Sequence, residues 1–382
     1  MDFSWDEEQD EIYHKVLEFV RGKLDDRITD QARQRFFSRE EWRLCAGAGV
    51  LGCCLPECYG GLGLDALLTA RVFEAFGRGR TDLGLAFSAA AHLFACVVPI
   101  LQQGDDAQKS YFLPRLANGE WIGANAITES EAGSDVFALQ TSARRDADAY
   151  VLNGVKSYVT NGPIADVFVV YATIGRAFGY LGVTAFLVER TDPGLSVGAP
   201  IQNMGLNSSP ISSIYLNDCR VPVTRRLGAE GQGGPLFRAA MQWERTGLFA
   251  SYVGMMERQL ERLLEFTKSR RQFRKPLAKN QAISHRLVDM KLRLEAARLL
   301  LYRACWRLAR SNAADVDLDV SLAKLAISEA VIQSGLDSVH LHGGLGYITG
   351  EIERELRDAI PGTIFSGTSE MQRDIIARAL GL

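Results

Sequence analysis

The chain has 382 residues, 43 Lys and Arg against 46 Asp and Glu (net charge -3), with 47% hydrophobic and 23% charged residues. That length suggests two or three domains at roughly 150 residues each, and the composition is ordinary for a globular protein with a sizeable core. The near-neutral balance offers no basic field, which argues against nucleic acid or an anionic membrane as partner.

The start, Met1-Asp2-Phe3-Ser4-Trp5-Asp6-Glu7-Glu8, is acidic and lacks the basic-then-apolar order of a signal peptide, so a cytoplasmic location is expected. Residues 1–118 read as a helical domain. Between Glu8 and Leu24 the apolar residues Ile12, Val16, Phe19 and Val20 share one helix face. A second helix over Leu67–Phe76 follows the breaker Gly60-Gly61-Leu62-Gly63. Leu83 to Leu101 is almost wholly apolar but contains Ser88, His92 and Pro99, which favours a buried core helix over a membrane span. The seven cysteines read as reduced packing thiols: Cys53, Cys54 and Cys58 lack C-x-x-C pairing and a nearby histidine, so no metal site is expected.

Residues 119–228 read as an antiparallel β domain. Runs such as Val167–Tyr171 and Val183–Val188 are separated by the turn signals Asn153-Gly154, Asn161-Gly162, Asp192-Pro193-Gly194 and Asn217-Asp218, with no helix-length segment between strands. Residues 229–382 return to helix. Ile283, Leu287, Met290, Leu294, Ala297, Leu301, Ala304 and Leu308 recur in steps of four and three, the stripe of a helix buried in a bundle. A further helix over about 318–341 stops at Gly343-Gly344. The fold class is thus α+β, mostly α.

No G-x-G-x-x-G follows a strand and no G-x-x-x-x-G-K-[ST] occurs, which argues against Rossmann and P-loop enzymes. Five local strings remain. They are Ile127-Thr128-Glu129 leading into Glu131-Ala132-Gly133-Ser134-Asp135; Asn153 to Gly162; Arg220-Val221-Pro222 before Gly231-Gln232-Gly233; Arg270-Arg271-Gln272-Phe273 with Gln281-Ala282; and His342-Gly343-Gly344 ahead of Ile364-Phe365-Ser366-Gly367-Thr368-Ser369-Glu370. In this order, over nearly the whole chain, they resemble the acyl-CoA dehydrogenase family.

The resemblance implies an N-terminal helical domain, a middle β domain, a C-terminal four-helix bundle and an FAD cofactor. It runs the flavin along Asn125, Ile127, Thr128, Gly133 and Ser134, and sets Tyr158, Val159 and Thr160 against the ring, with Thr160 at the edge that receives hydride. It pairs Arg270 with the FAD pyrophosphate, a charge-assisted bond suited to a guanidinium fork. Gln272 and Phe273 beside it, and Thr368 and Glu370, also count as cofactor residues. Gln281 and the Gly343-Gly344 turn fall on the adenosine side, reached from a neighbouring subunit of a homodimer or homotetramer. His340 stands where the family often has glutamine; an imidazole can still donate to a phosphate.

The family removes the substrate α-proton with a carboxylate, most often a glutamate just before the terminal Gly-Thr-Ser. Here that place is Ser366, which cannot act as a base alone. The isovaleryl-CoA and long-chain branches take their glutamate from the first bundle helix, directly before an arginine, and Glu244-Arg245 matches that place. Glu244 is the expected base, with Arg245 orienting the carboxylate or the thioester arm. The backbone N–H of Ser366 would keep its part in an oxyanion hole, since a backbone donor survives a side-chain change. The bland reading of Glu244-Arg245 is a surface ion pair, and of the whole chain a flavoprotein that lost its base. A narrower resemblance, in Ala91–Cys96, Trp243-Glu244-Arg245, Met255–Leu260 and Thr363–Ser369, is to L-prolyl-carrier-protein dehydrogenases, which oxidise prolyl on a phosphopantetheine arm toward pyrrole-2-carboxyl thioesters. An acyl-CoA of short or branched chain stays open as substrate, as do other carrier-bound aminoacyl groups. Oxygen and an electron-transfer flavoprotein both stay open as electron acceptor.

Overall fold

A computed structural model describes residues 4–24, 37–80, 82–310 and 316–382; the first three residues of the acidic start lie outside them. The N-terminal part holds α1 (Glu7–Lys23), α2 (Arg39–Gly47), α3 (Ala66–Gly79), α4 (Gly84–His92), α5 (Val98–Gln103) and α6 (Asp106–Ala117). Asp6, Asp65 and Asp105 each accept a backbone N–H three residues on, satisfying donors that a first turn leaves orphaned. In α1 the buried face is rotated from the expected stripe: Tyr13 and Leu17 join Val16 and Val20, while Ile12 and Phe19 flank it.

The apolar segment is a core element, with 89% of its most apolar stretch buried inside the molecule. A π-turn over Leu93–Val97 joins α4 to α5. Pro99 accounts for it: proline brings no N–H, and its ring would collide with the carbonyl four residues back in a regular α-helix. The polar residues of the segment dock the β domain. His92 Nδ1 accepts from the Gly123 N–H at 2.9 Å, Ser88 Oγ donates to Ser209 Oγ at 2.9 Å, and the Ser88 carbonyl accepts from the Asn161 amide at 3.0 Å. Burial pushes His92 down to about 3, so the ring is neutral.

The middle part holds β1 (Gly123–Ala126), β2 (Ser142–Asp146), β3 (Ala149–Thr160), β4 (Val167–Thr173), β5 (Val183–Glu189), β6 (Leu195–Val197), β7 (Ile211–Pro222) and β8 (Arg226–Leu227). They pair in the order β6-β7-β3-β2-β4-β5-β8, with β1 beside β4. The sheet is mixed rather than purely antiparallel. β1 runs parallel to β4, because the chain returns to the start of β1 at Ile122 before entering β4, and β2 meets β4 in a single parallel pairing. Strand β4 divides two cores: Val167, Val169 and Tyr171 face the helices, while Phe168, Val170 and Ala172 face the other side of the sheet.

Two expected turns are not turns. Asn153-Gly154 lies inside β3 and Asn217-Asp218 inside β7, facing each other where the register slips between Leu152 and Gly154. Their side chains close the irregularity, with Asn153 Nδ2 donating to Asp218 Oδ1 at 3.0 Å and the Asp218 N–H donating to Asn153 Oδ1 at 2.8 Å. Residues that favour left-handed backbone mark a β-bulge as readily as a hairpin, and Asp218 does have φ +49°.

The C-terminal part comprises α7 (Gly233–Ser269), the hairpin of β9 (Arg271–Gln272) and β10 (Lys275–Pro276), α8 (Gln281–Leu308), α9 (Asp317–His342), α10 (Gly344–Tyr347), α11 (Glu351–Ala359) and α12 (Ser369–Ala379). The six inner positions of the predicted stripe, Leu287 to Ala304, are all buried in α8. Helix α7 packs on α3, α8 and α9, and from Thr246 to Met256 it is buried on every side. Its contact with α3 is backbone to backbone. A Cβ on Gly77 would lie 1.9 Å from the Ser251 carbonyl oxygen, and one on Gly254 2.0 Å from that of Glu74.

A buried ion pair ties β3 to the segment after β1. Lys156 Nζ donates to Glu129 Oε1 at 2.7 Å and to the Ile127 carbonyl at 2.9 Å, both side chains being withdrawn from solvent. Burial alone would raise Glu129; the Lys156 ammonium and the Thr141 hydroxyl more than offset that and hold its carboxyl below the usual range. The N–H groups of Gln140 and Thr141 donate to the same carboxylate at 2.6 and 2.9 Å. Lys156→Met leaves this charge uncompensated and should cost about 3–5 kcal/mol, read as a fall in stability by denaturant unfolding. Adding Glu129→Gln removes the charge while keeping an acceptor for one of the two N–H groups, which bond different oxygens, and should recover part of the loss.

Candidate active site

Glu244 sits nearly three turns before Gly254 on α7, on a face that opens toward the loop between α11 and α12. Its carboxylate accepts the hydroxyl of Ser366. Enough protein surrounds it that burial lifts its carboxyl above the usual range, against the opposing effects of the Ser366 hydroxyl and the nearby Arg245 charge. The opening Glu244-Arg245 pair is therefore no surface ion pair.

Arg245 turns to a task other than the expected one. Its Nε donates at 2.8 Å to the backbone carbonyl of Ser366, not to the Glu244 carboxylate. A guanidinium on the residue after Glu244 lies about 100° round the helix, where it reaches the loop rather than its neighbour's side chain. Gln372 Nε2 approaches the same carbonyl at 3.4 Å and donates to that of Gly367 at 3.0 Å. The loop is thus held through its carbonyls, and the Ser366 N–H takes no part in these contacts.

The loop is held tightly. Ser366 has φ +54° and Gly367 φ +86°, a left-handed pair of which only the glycine is at ease. Upstream, Tyr252 donates its hydroxyl to the Asp358 carbonyl at 2.7 Å and Ser328 donates to the Gly362 carbonyl at 2.9 Å. Phe365 packs among Phe87, Phe249 and Tyr252, with ring centroids 4.8, 5.6 and 6.3 Å away. Phe94 lies on Gly247, one turn past Glu244, where a Cβ would come within 2.1 Å of its ring, and it stacks on Trp243. The site is a partly desolvated carboxylate in an aromatic wall, oriented by a fixed hydroxyl. Such a group is suited to abstracting a proton from carbon.

The residues assigned to a cofactor fall into three places. Asn125, Ile127 and Thr128 lie beside Tyr158, Val159 and Thr160, with the Ser157 N–H donating to the Thr128 carbonyl at 2.8 Å. A second register slip, between Lys156 and Val159, puts Tyr158 at φ +55° and turns its ring outward, 64% exposed. Gly133 and Ser134 follow on an exposed turn, and a Cβ on Gly133 would meet nothing. Thr368 and Glu370 flank the Ser366 loop; the Thr368 hydroxyl accepts the Met371 N–H at 3.3 Å and so caps α12.

The remaining group is remote. Arg270, Gln272, Phe273, Gln281, His340, Gly343 and Gly344 gather where α7 and α9 end and α8 begins, with Arg286 Nη1 3.0 Å from His340 Nδ1. Phe273 stands at the tip of the β9–β10 hairpin, 91% exposed. Arg270 is 26 residues beyond Glu244, about 39 Å along a helix that rises 1.5 Å per residue.

Gln372 carried no assignment from the sequence, although it lies four residues past Thr368 and therefore on the same helix face. Lys156 and Glu129 stand in the sequence only as parts of motifs; their pairing depends on which strands meet.

The chain matches the models "Acyl-CoA dehydrogenase, N-terminal domain" over residues 6–120, "middle domain" over 124–219 and "C-terminal domain" over 231–381. It is 48% identical to an L-prolyl-peptidyl-carrier-protein dehydrogenase of Pseudomonas fluorescens over the full length of both chains. It is 43% identical to one of the same description from a Serratia species, over 100% of this chain and 99% of that one. Among solved structures it resembles the prolyl acyl carrier protein oxidase AnaB, with TM-score 0.95 and 42% identity over 99% of this chain and all of that one. PigA with FAD and proline superimposes with TM-score 0.95 at 42% identity over the whole of both chains. The chain belongs to the acyl-CoA dehydrogenase family.

Proposed function

We propose that the protein is an FAD-dependent dehydrogenase that oxidises the α,β-bond of an L-prolyl group held as a thioester on a carrier protein's phosphopantetheine arm, toward a pyrrole-2-carboxyl thioester. The observation that carries this reading is the Glu244 carboxylate, desolvated on α7 and bonded by Ser366 at the place where most of the family carries its base. Relatives named for prolyl carried on a protein support the substrate, as does a PigA structure with FAD and proline.

The residues present fit FAD. The β1–β3 face presents an outward aromatic, Tyr158, beside Thr160, and the same face carries the buried Asn125 Oδ1, which has no hydrogen-bond partner among the described residues. Asn125, Thr128, Tyr158 and Thr160 would hold the ring end. Arg270, Gln281 and the Gly343-Gly344 turn would hold the adenosine end. At about 39 Å along α7 from the base, that second group cannot serve the same flavin within one protomer, so each site is completed by a second copy. The stripe Val288, Leu292, Leu299 and Trp306, exposed on α8, offers the apolar face that a homo-oligomer of two or four copies would cover.

When bound, FAD supplies the two-electron acceptor for hydride from the β-carbon, and an external acceptor takes the electrons onward. Glu244 takes the α-proton. Arg245 and Gln372 hold the Ser366–Gly367 segment against α7, which keeps the loop backbone in place beside the thioester. The aromatic residues Phe87, Phe94, Trp243 and Phe365 make the surroundings of the partly buried carboxylate apolar.

The purified protein should be yellow, and heat should release FAD. Recovery of FMN, or a colourless protein that FAD cannot reconstitute, would refute the cofactor. Prolyl tethered to its carrier protein should bleach the flavin and lose mass in steps of two hydrogens, whereas free proline and a panel of acyl-CoAs should not. Glu244→Gln should keep FAD and reduce it about 10²–10⁴-fold more slowly, the usual loss on removing a general base. Near-normal bleaching in that variant would move the base elsewhere.

A further inference from the structure

Resting on the reading of Glu244 as base, we propose that the Ser366 side chain is a positioning residue whose hydroxyl donates to the Glu244 carboxylate, keeping the base ionised and aimed. The replacement of glutamate by serine at this position then does more than remove a carboxylate. It supplies the donor that a base on α7 requires.

The direction of the bond follows from the chemistry of the two groups. An ionised carboxylate only accepts, and the serine hydroxyl is the one donor in that contact. Burial drives Glu244 toward its neutral form, which cannot take a proton from carbon; the Ser366 hydroxyl opposes that drive at contact and Arg245 opposes it through space. Arg245 spends its Nε on the loop carbonyl, so the hydroxyl is the described direct donor to the carboxylate.

The backbone points the same way. Ser366 occupies left-handed conformation at φ +54°, where glycine would sit without strain. Its carbonyl is fixed from one side by Arg245 and approached from the other by Gln372. Those contacts determine where its Cβ points, and it points at Glu244. A strained non-glycine residue that surrounding contacts over-determine is a sign of a functional side chain. A serine kept only to fill space would leave the titration of Glu244 untouched.

The test reads Glu244 directly. Infrared difference titration of the FAD-loaded protein, wild type minus Glu244→Gln, isolates the protonation of this carboxyl without any substrate. Ser366→Ala removes the hydroxyl and keeps the Cβ; Ser366→Gly removes it and relieves the backbone. Both should keep FAD and shift the titration upward by about one pH unit, a tenfold change in the ionisation equilibrium. The acid limb of flavin reduction by prolyl-carrier protein should move upward with it, because a base whose pKa rises stays protonated to higher pH. An unmoved titration in Ser366→Ala, or a shift in Ser366→Gly alone, overturns the positioning role and leaves the base assignment standing. A titration that moves while the acid limb stays put overturns the base assignment itself, and the catalytic meaning of the contact with it.

Discussion

The placement of everything near Glu244 depends on how closely α3 and α7 approach. Gly77 and Gly254 bring the two backbones into contact, each occupying a point where a single added carbon would overlap a carbonyl oxygen of the other helix. Helix α7 has its most buried stretch there, from Thr246 to Met256, and Glu244 lies just outside it. A residue two positions before a fully packed segment inherits that segment's rigidity while still facing the cleft. Gly247 repeats the device on a smaller scale, giving up its side chain so that Phe94 can lie against the helix next to the carboxylate.

A base on a helix meets different demands from a base on a loop. The helix fixes the direction of Cα–Cβ but supplies no donor of its own to a carboxylate in mid-helix, because its N–H groups are spent on carbonyls four residues back. Donors must come from across the cleft. The loop at 366 provides one, and Arg245 and Gln372 provide the means of holding that loop. With Glu244 as the proposed base, moving the carboxylate from loop to helix exchanges roles between two positions rather than deleting one.

The domain order, the long helices and the buried stripe of α8 were legible in the sequence because each rests on periodicity within a few turns. Pairing across distance was not. Asn153-Gly154 and Asn217-Asp218 carry turn chemistry, and nothing local says that the two will face each other inside a sheet. The sharing of Ser366 between Glu244 and Arg245 joins residues more than 120 positions apart. Position within the motifs could nominate Glu244 and Ser366 but could not show that Arg245 would bond the loop backbone. The separation of Arg270 and Gln281 from the strands follows from the uninterrupted length of α7, which the composition between 233 and 269 does not announce.

The docking of the apolar segment Gly84–Gln103 also dictates an order of events during synthesis. Its His92 and Ser88 wait for Gly123, Asn161 and Ser209, and the helix it packs on, α7, is not complete until residue 269. At roughly 5–20 residues per second, some ten to thirty seconds pass between the emergence of this segment and the arrival of its last partners. Throughout that interval the segment has its N-terminal neighbours, with His92 against Trp42 and Phe94 against Phe73, but its face toward α7 stays uncovered. The N-terminal domain therefore completes its core only when α7 arrives, and until then the nascent chain carries an apolar face that must be shielded from other chains.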